Sequence, residues 1–237
     1  MVQTGVDRQD SYGESINHKL DYMIGNREHG QLVQVDRQNF EAGQALGLSK
    51  IPFSADISWR LALEGRIFIA SDADQNDRVT GQTSFANTTP SFMLRNPAAS
   101  NVICIPFYYQ LAQTGSVAGG DISVETEIVY PNAYASGGTS ERVRKARIGM
   151  IGGPANQCLL STGATATAGF GISVGHVTLA ADVSGAEGII NIYEWQAPTG
   201  VFLDPNTSLN VFTYAATTGP TWGWHFVWAE VPLEMLV

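Results

Sequence analysis

Short apolar segments, separated by turn residues, follow one another from Ile51 to the end of the chain. They recur about every eight to fifteen residues, and Gly, Pro, Asn and Asp fill the intervals between them. The segment Ile122 to Tyr130 begins with strict alternation of apolar and polar residues, which is the period of a half-buried strand. This spacing predicts an all-β fold, a single antiparallel β-sandwich or jelly roll over residues 51–237.

Each predicted strand is bounded by residues that favour turns. Besides Ile122 to Tyr130, the predicted strands are Ile57 to Leu63 with its continuation Arg66 to Ala70, Phe92 to Leu94, Val102 to Leu111, Arg142 to Ile151, Phe170 to Leu179, Gly188 to Trp195, Ser208 to Tyr214 and Trp222 to Val231. Pro106 cannot donate to a ladder, so its strand is predicted to lie at an edge or to contain a bulge. The dipeptide Asn96-Pro97 predicts a turn.

The first fifty residues differ from this pattern, since they are rich in Gln and charged side chains and contain no long apolar run. Four apolar residues at near-helical spacing predict a short amphipathic helix: Ile16, Leu20, Met23 and Ile24. A second, weaker helical piece is predicted between Asn39 and Leu48. Because this segment can bury little surface alone, we predict an N-terminal arm, residues 1–50, that orders on a neighbouring subunit. A flexible tail is the alternative.

Composition narrows the classes of partner. Charged residues make up 15% of the chain, against about 25% in an average soluble protein. A surface covered by Ser, Thr, Asn, Gln and Gly is typical of protein–protein contact, although a secreted Thr/Gly-rich β protein has a similar composition. The net charge of −9 argues against nucleic acid as the main partner. We recognise neither a membrane segment nor a signal peptide, and expect synthesis in a cytoplasm.

The strongly positive segment Arg142-Val-Arg144-Lys-Ala-Arg147 is the main basic feature of the chain. On a strand, Arg142 and Arg144 share one face while Lys145 and Arg147 share the other, so the charge is not concentrated as a nucleic-acid groove requires. We interpret the segment as a solvated strand or a salt-bridged subunit contact, with Glu125 and Glu127 of a neighbouring strand as candidate partners.

One motif suggests catalysis. Gly171-Ile-Ser173-Val-Gly175 fits the nucleophile-elbow pattern, and Asp182 or Asp204 and then His225 follow in the chain order of an α/β-hydrolase triad. The elbow requires a strand that runs into a helix, whereas the residues from His176 onward predict more strand. We therefore predict that the chain is not an enzyme and assign no catalytic residue.

Metal-binding signals are weak. Asp72-Ala-Asp74-Gln-Asn76-Asp77 resembles the opening of a calcium loop, but Asp77 stands where the glycine is expected and Thr83 where the glutamate is expected. Solvated turn residues are the simpler interpretation. The histidines share no metal-ligand spacing with each other or with cysteine. We assign no metal ligand and no cofactor.

The two cysteines, Cys104 and Cys158, could pair or remain free, and the apolar surroundings of Cys104 predict a buried thiol. Four aromatic residues share one face of the last strand: Trp222, Trp224, Phe226 and Trp228. This stripe predicts a core or a subunit interface, and a carbohydrate-stacking surface is the alternative. The apolar tail that ends at Leu236 and Val237 predicts packing on a partner.

The stretch from Gln82 to Val102 contains Thr89-Pro90-x-Phe92-x-Leu94-x-Asn96-Pro97. It resembles a segment of small β-sandwich structural proteins of tailed phages, among them head cement (decoration) proteins. The resemblance covers less than a fifth of the chain. It implies a subunit of the virion, assembled in the host cytoplasm, whose body contacts neighbouring copies and a capsid protein.

We therefore expect a capsid cement or decoration protein, or else a jelly-roll capsid subunit, that forms a homo-oligomer such as a trimer and binds a capsid protein. The alternative is a carbohydrate-binding β-sandwich of the tail-fibre or lectin type. The predicted interface residues are Ile16, Leu20, Met23, Ile24, Arg142, Arg144, Leu236 and Val237.

Overall fold

The structure, a computed structural model, describes residues 57–72, 77–114, 121–149, 152–167, 171–180, 189–198, 200–216 and 219–235. The chain divides between Arg60 and Leu61, and the described strands all belong to the second unit. The boundary predicted at residue 51, the arm and its helices lie outside the described residues. No helix within the described ranges is long and apolar enough to cross a membrane.

Strands dominate the described residues, as predicted. The elements are α1 (Ile57–Leu63), β1 (Ile67–Ser71), β2 (Val79–Thr80), β3 (Phe92–Asn96), β4 (Val102–Thr114), β5 (Ile122–Val129), β6 (Tyr134–Ser136), β7 (Thr139–Ser140), β8 (Arg144–Lys145), β9 (Leu159–Thr162), β10 (Thr165–Ala166), β11 (Ile172–Leu179), β12 (Ile189–Gln196), β13 (Thr207–Ala215), β14 (Thr221–Pro232) and a 3₁₀ turn, Leu233–Met235.

Two antiparallel sheets pack face to face, which confirms the β-sandwich. The front sheet has the order β12-β4-β14-β1-β8, with β2 paired to β14, and the back sheet has the order β11-β5-β13-β3-β9-β7. Neighbours in each sheet are distant in sequence, so the chain crosses repeatedly between the two sheets. The strand order places β12 beside β11 at one side of the sandwich, where Trp195 Nε1 donates to Val174 O at 3.3 Å.

The core lies between the sheets and is rich in aromatic side chains. From β14, Trp222, Trp224, Phe226 and Trp228 all point inward and are buried, which confirms that the stripe belongs to the core. Tyr109 of β4 stacks on Phe226 with ring centroids 5.0 Å apart. Burial of this much apolar surface is the main stabilising contribution to such a body.

A second layer covers the outer face of the back sheet. The small sheet of β6 and β10 contributes Tyr134 and Ala166 to a cluster around Met93, and the residues just before these two strands contribute Ala133 and Ala164. Phe85 packs against Phe212 and Tyr214 of β13, and both faces of this strand are almost wholly buried. This arrangement explains why Ser208 to Tyr214 does not show the simple apolar–polar alternation of a half-exposed strand.

Two predicted strands are wrong. Ile57 to Leu63 is the helix α1, which ends in a Schellman arrangement: Gly65, at φ 71°, donates to Ala62 O at 3.0 Å, and Arg66 N donates to Leu61 O at 2.8 Å. Alternation within a short apolar run does not distinguish a helix from a strand. Gly65, which is typical of the residue that ends a helix, was the better indication of the structure.

The second error is the strand predicted from Arg142 to Ile151. Among the described residues 142–149, only Arg144–Lys145 pairs, at the outer edge of β1, and Gly149 at φ 80° turns the chain away. By contrast, the prediction at Pro106 is confirmed as a bulge, since the register shifts between Val227 and Trp228 where β14 passes Pro106.

The predicted turn at Asn96-Pro97 is confirmed, since Ser100 N donates to Pro97 O at 3.0 Å. The buried Asn96 side chain holds this turn in place. Its Nδ2 donates to Val102 O and to Leu203 O, both at 2.8 Å, while its Oδ1 accepts from the Ser100 hydroxyl.

Replacing Asn96 with Ala removes three buried hydrogen bonds and is expected to lower the free energy of unfolding by about 2–3 kcal/mol. Asn101→Ala is the matched control, because this asparagine is exposed, and a change within about 0.5 kcal/mol is expected. Urea denaturation of both variants measures the difference. Equal stabilities would show that the Asn96 bonds contribute nothing net.

Candidate functional site

The structure describes two of the eight predicted interface residues. Arg142 and Arg144 are both exposed, and neither side chain makes a hydrogen bond or ion pair within the described part of the chain. The other six lie outside the described residues: Ile16, Leu20, Met23, Ile24, Leu236 and Val237. Those six therefore stay predictions.

The basic patch consists of Arg142, Arg144, Lys145 and Arg147 together with Ile148. Lys145 Nζ donates to Gly152 O at 2.7 Å and Arg147 NH1 donates to Leu63 O at 2.6 Å, so these two cations are oriented by backbone carbonyls. Ile148 is 94% exposed beside them. A shallow groove of about 310 Å³ runs along the patch from Arg144 to Gly149. The patch thus combines fixed positive charge with an exposed apolar side chain.

The carboxylates expected next to the basic segment lie elsewhere. Glu125 and Glu127 belong to β5, between β11 and β13 of the back sheet, whereas Arg144 belongs to β8 at the far edge of the front sheet. The predicted pairing along neighbouring strands is therefore wrong. Its cause is that β8 pairs with β1, a strand that lies in the other sheet from β5.

The acidic patch consists of Glu125 and Glu127, and Ile172 begins the neighbouring strand β11 opposite Ile128. The two carboxylates share the outer face of β5, and His176 and Ser173 of β11 lie opposite them in the register. Partial burial, and then the Glu125 carboxylate, raise the pKa of Glu127. Ile172 is 73% exposed. Neither glutamate forms an ion pair with a cation of the described residues.

The tryptophan stripe offers no ring face to a sugar, because Trp222, Trp224 and Trp228 are buried in the core. Trp195 of β12 is buried as well. The indole nitrogens of Trp224 and Trp228 donate to Asp77 O at 3.0 Å and to Glu230 Oε1 at 3.1 Å. The surface on which the carbohydrate alternative depended is therefore interior.

The hydrolase arrangement is not assembled. Ser173 is an exposed residue of β11, and the strand continues to Leu179 where an elbow requires a helix. His225 lies on β14 in the other sheet, against Tyr108 with ring centroids 6.0 Å apart, and its partial burial lowers the pKa of its imidazole. No hydrogen bond joins Ser173 to His225 in the described ranges. Asp182 lies outside those ranges.

The loop from Asp72 to Asp77 is described only at its two ends. Burial raises the pKa of Glu141, and the negative charges of Asp77 and Asp72 raise it further. A hydrogen bond that Thr162 Oγ1 donates to Glu141 at 2.5 Å acts in the opposite direction and lowers this pKa. Three carboxylates thus lie in one neighbourhood. The described residues nonetheless contain no group of three or more His, Cys, Asp and Glu side chains placed to hold a metal ion.

Sequence reasoning missed Glu230, which lies on the inward face of β14 and is 3% exposed. Its Oε2 accepts from Gln157 N at 2.7 Å, and its Oε1 accepts from Cys158 N at 3.0 Å. The residue lines a groove of about 530 Å³ with Arg66 and Leu233. Since both oxygens are satisfied by N–H groups, the carboxylate fastens the segment before β9 to the end of β14. The sequence feature that could have identified Glu230 is a single acidic residue within an otherwise apolar predicted strand.

The cysteines meet in the core next to Glu230. Cys104 and Cys158 are both buried and free, which confirms the predicted burial of Cys104. A hydrogen bond with the Cys104 thiol, together with burial, raises the pKa of the Cys158 thiol. Neither thiol is available as a nucleophile in this arrangement, because reactivity requires an accessible thiolate.

Comparisons of the chain with protein-family models, with curated proteins and with solved structures gave no match.

Glu230→Gln places an amide NH₂ against an N–H donor and is expected to lower the free energy of unfolding by about 1–3 kcal/mol. Glu234→Gln is the matched control, because Glu234 is exposed just beyond β14, and a change within about 0.5 kcal/mol is expected. Thermal unfolding followed by circular dichroism measures both. An unchanged stability of Glu230→Gln would mean that the N–H groups of Gln157, Cys158 and the Trp228 indole do not require a charged acceptor.

The buried tryptophans predict weak quenching by acrylamide. The Trp59→Phe variant restricts emission to Trp195, Trp222, Trp224 and Trp228. In this variant the quenching constant is expected to be several-fold smaller in native protein than in protein unfolded in guanidinium. Equal constants would place the rings in solvent and restore the carbohydrate interpretation.

Proposed function

We propose that this chain is a structural protein of a phage particle, a cement or decoration protein that stabilises the shell through contacts between subunits. The observation that carries the proposal is the basic patch. It presents Arg142 and Arg144, which have no ion-pair partner among the described residues, and Arg144 lines a groove with Ile148, whose side chain is almost fully exposed. Arginine beside exposed apolar surface is characteristic of protein–protein interfaces.

The extensive strand pairing and packing of the body support such a role. Its long strands pair over most of their length, and β4 and β14 alone share eleven residue pairs in register. Large aromatic side chains fill the space between the sheets. A rigid body of this kind presents its edges in fixed geometry, so that many weak contacts on a shell can act together.

Further exposed apolar side chains are distributed around the body. They are Phe85, Tyr130, Ile172, Ile192, Phe202 and Leu233. Singly exposed apolar residues are common on monomers, so these positions support the proposal only in combination with the unpaired arginines.

The carbohydrate-binding alternative has no comparable support. It relied on the tryptophans of β14, and these lie in the core.

The proposal predicts that the chain is a constituent of the particle. Mass spectrometry of gradient-purified particles from the phage that encodes it is expected to find the chain in fixed ratio to the major capsid protein. Particles made without the chain should disrupt at a lower temperature than complete particles, and adding purified protein should restore the higher temperature, because binding stabilises the bound state.

Heat-denatured protein is the control for the add-back experiment. Absence of the chain from purified particles, or equal thermal stability with and without it, would overturn the proposal.

A further inference from the structure

The basic patch and the acidic patch lie at opposite sides of the sandwich. β8 ends the front sheet at one side, while β11 and β5 occupy the other side of the back sheet. Contacts between the sheets establish this alignment. Trp195 of β12 bonds to Val174 of β11, and the hydroxyls of Tyr109 on β4 and Thr126 on β5 are 2.5 Å apart. One copy of the chain therefore cannot bring its own two patches together.

The two patches are complementary in charge. Four of the chain's 13 Lys and Arg residues lie within residues 142–147, in a chain whose net charge is −9. Glu125 and Glu127 are adjacent carboxylates on one strand face, and burial and Glu125 raise the pKa of Glu127. A cation brought next to this pair would relieve the repulsion between the two carboxylates.

The basic patch also contains a highly exposed isoleucine, Ile148, which is 94% exposed. Ile172, which is 73% exposed, begins β11 opposite Ile128, at the same edge of the back sheet as the acidic patch. Exposed ion pairs are individually weak, so charge alone would orient two bodies without holding them. Burial of Ile148 against the neighbouring copy adds the apolar contribution that an interface centre requires.

We propose that copies of this chain bind one another head to tail, the basic patch of one copy against the acidic patch of the next. The inference rests on the assembly function proposed above and adds to it the partner and the contacting residues. Because the two patches differ, the contact is heterologous and leaves a free patch at each end, so it can continue from copy to copy. On a shell, neighbouring copies are held close, which compensates for a weak individual contact.

The contact can be tested by exchanging the charges. One variant contains Arg142→Glu and Arg144→Glu, and the other contains Glu125→Lys and Glu127→Lys. Sedimentation velocity in about 50 mM salt is expected to show concentration-dependent association of the wild-type chain, which about 500 mM salt abolishes. Each variant alone should associate at least tenfold more weakly, because like charges then meet at the contact.

Mixing the two variants at equal concentration is the decisive measurement. Every contact between unlike variants again joins opposite charges, so association should return to near the wild-type level. Misfolding cannot produce this result, because two damaged proteins would not restore each other. Arg78→Glu is the control, since this exposed arginine lies outside both patches and its reversal should leave association unchanged.

A wild-type chain that stays monomeric at low salt, or a mixture that associates no better than its components, would overturn the head-to-tail contact. These failures are distinct from failure of the proposed function. A chain found in particles whose variants show no mutual rescue would refute only the contact. A chain that shows the rescue but is absent from particles would refute only the particle role.

Discussion

The inward face of β14 is the contact on which both sheets depend. Alternate residues of a strand share a face, so this one strand delivers four large aromatic side chains to the same side. Phe92 of the back sheet packs against two of them, with its ring centroid 5.8 Å from that of Trp224 and 5.3 Å from that of Phe226. At the end of the strand, Glu230 accepts N–H groups from the segment before β9. The sheets are thereby joined by apolar packing in the middle and by a carboxylate at one end.

This packing determines where the surface charges lie. With β12 beside β11 and β4 beside β5, the strand β8 falls on the side away from Glu125 and Glu127. Arg142 and Arg144 are consequently separated from Glu125 and Glu127 by the width of the sandwich. Because the basic and acidic patches lie at opposite sides, they cannot pair within one copy. Their complementary charges are therefore available for a contact between two copies.

The errors of the sequence-based interpretation have local causes. Ile57–Leu63 alternates like a strand but forms a helix. The prediction failed because seven residues are too few to distinguish the period of a helix from that of a strand, and the helix-ending Gly65 that follows was not weighed. Arg142 to Ile151 was predicted as one long strand, yet of its described residues 142–149 only Arg144–Lys145 pairs, because Gly149 adopts positive φ and the segment lies at a sheet edge. In the candidate site, the exposure of the two arginines was predictable, whereas the position of Glu125 and Glu127 in the other sheet was not.

The sequence by itself determined the fold class, most strand positions, the single face shared by the aromatic residues of β14, an edge or a bulge at Pro106, and the turn at Asn96-Pro97. These follow from short-range regularities, namely the two-residue period of a strand and the restricted backbone of proline. Only the tertiary structure decided which strands pair, and therefore that Glu230 fastens the sheets and that Glu125 lies far from Arg144. The physical reason is that any strand edge offers the same backbone donors and acceptors. The choice among edges depends on packing between residues that are distant in the chain.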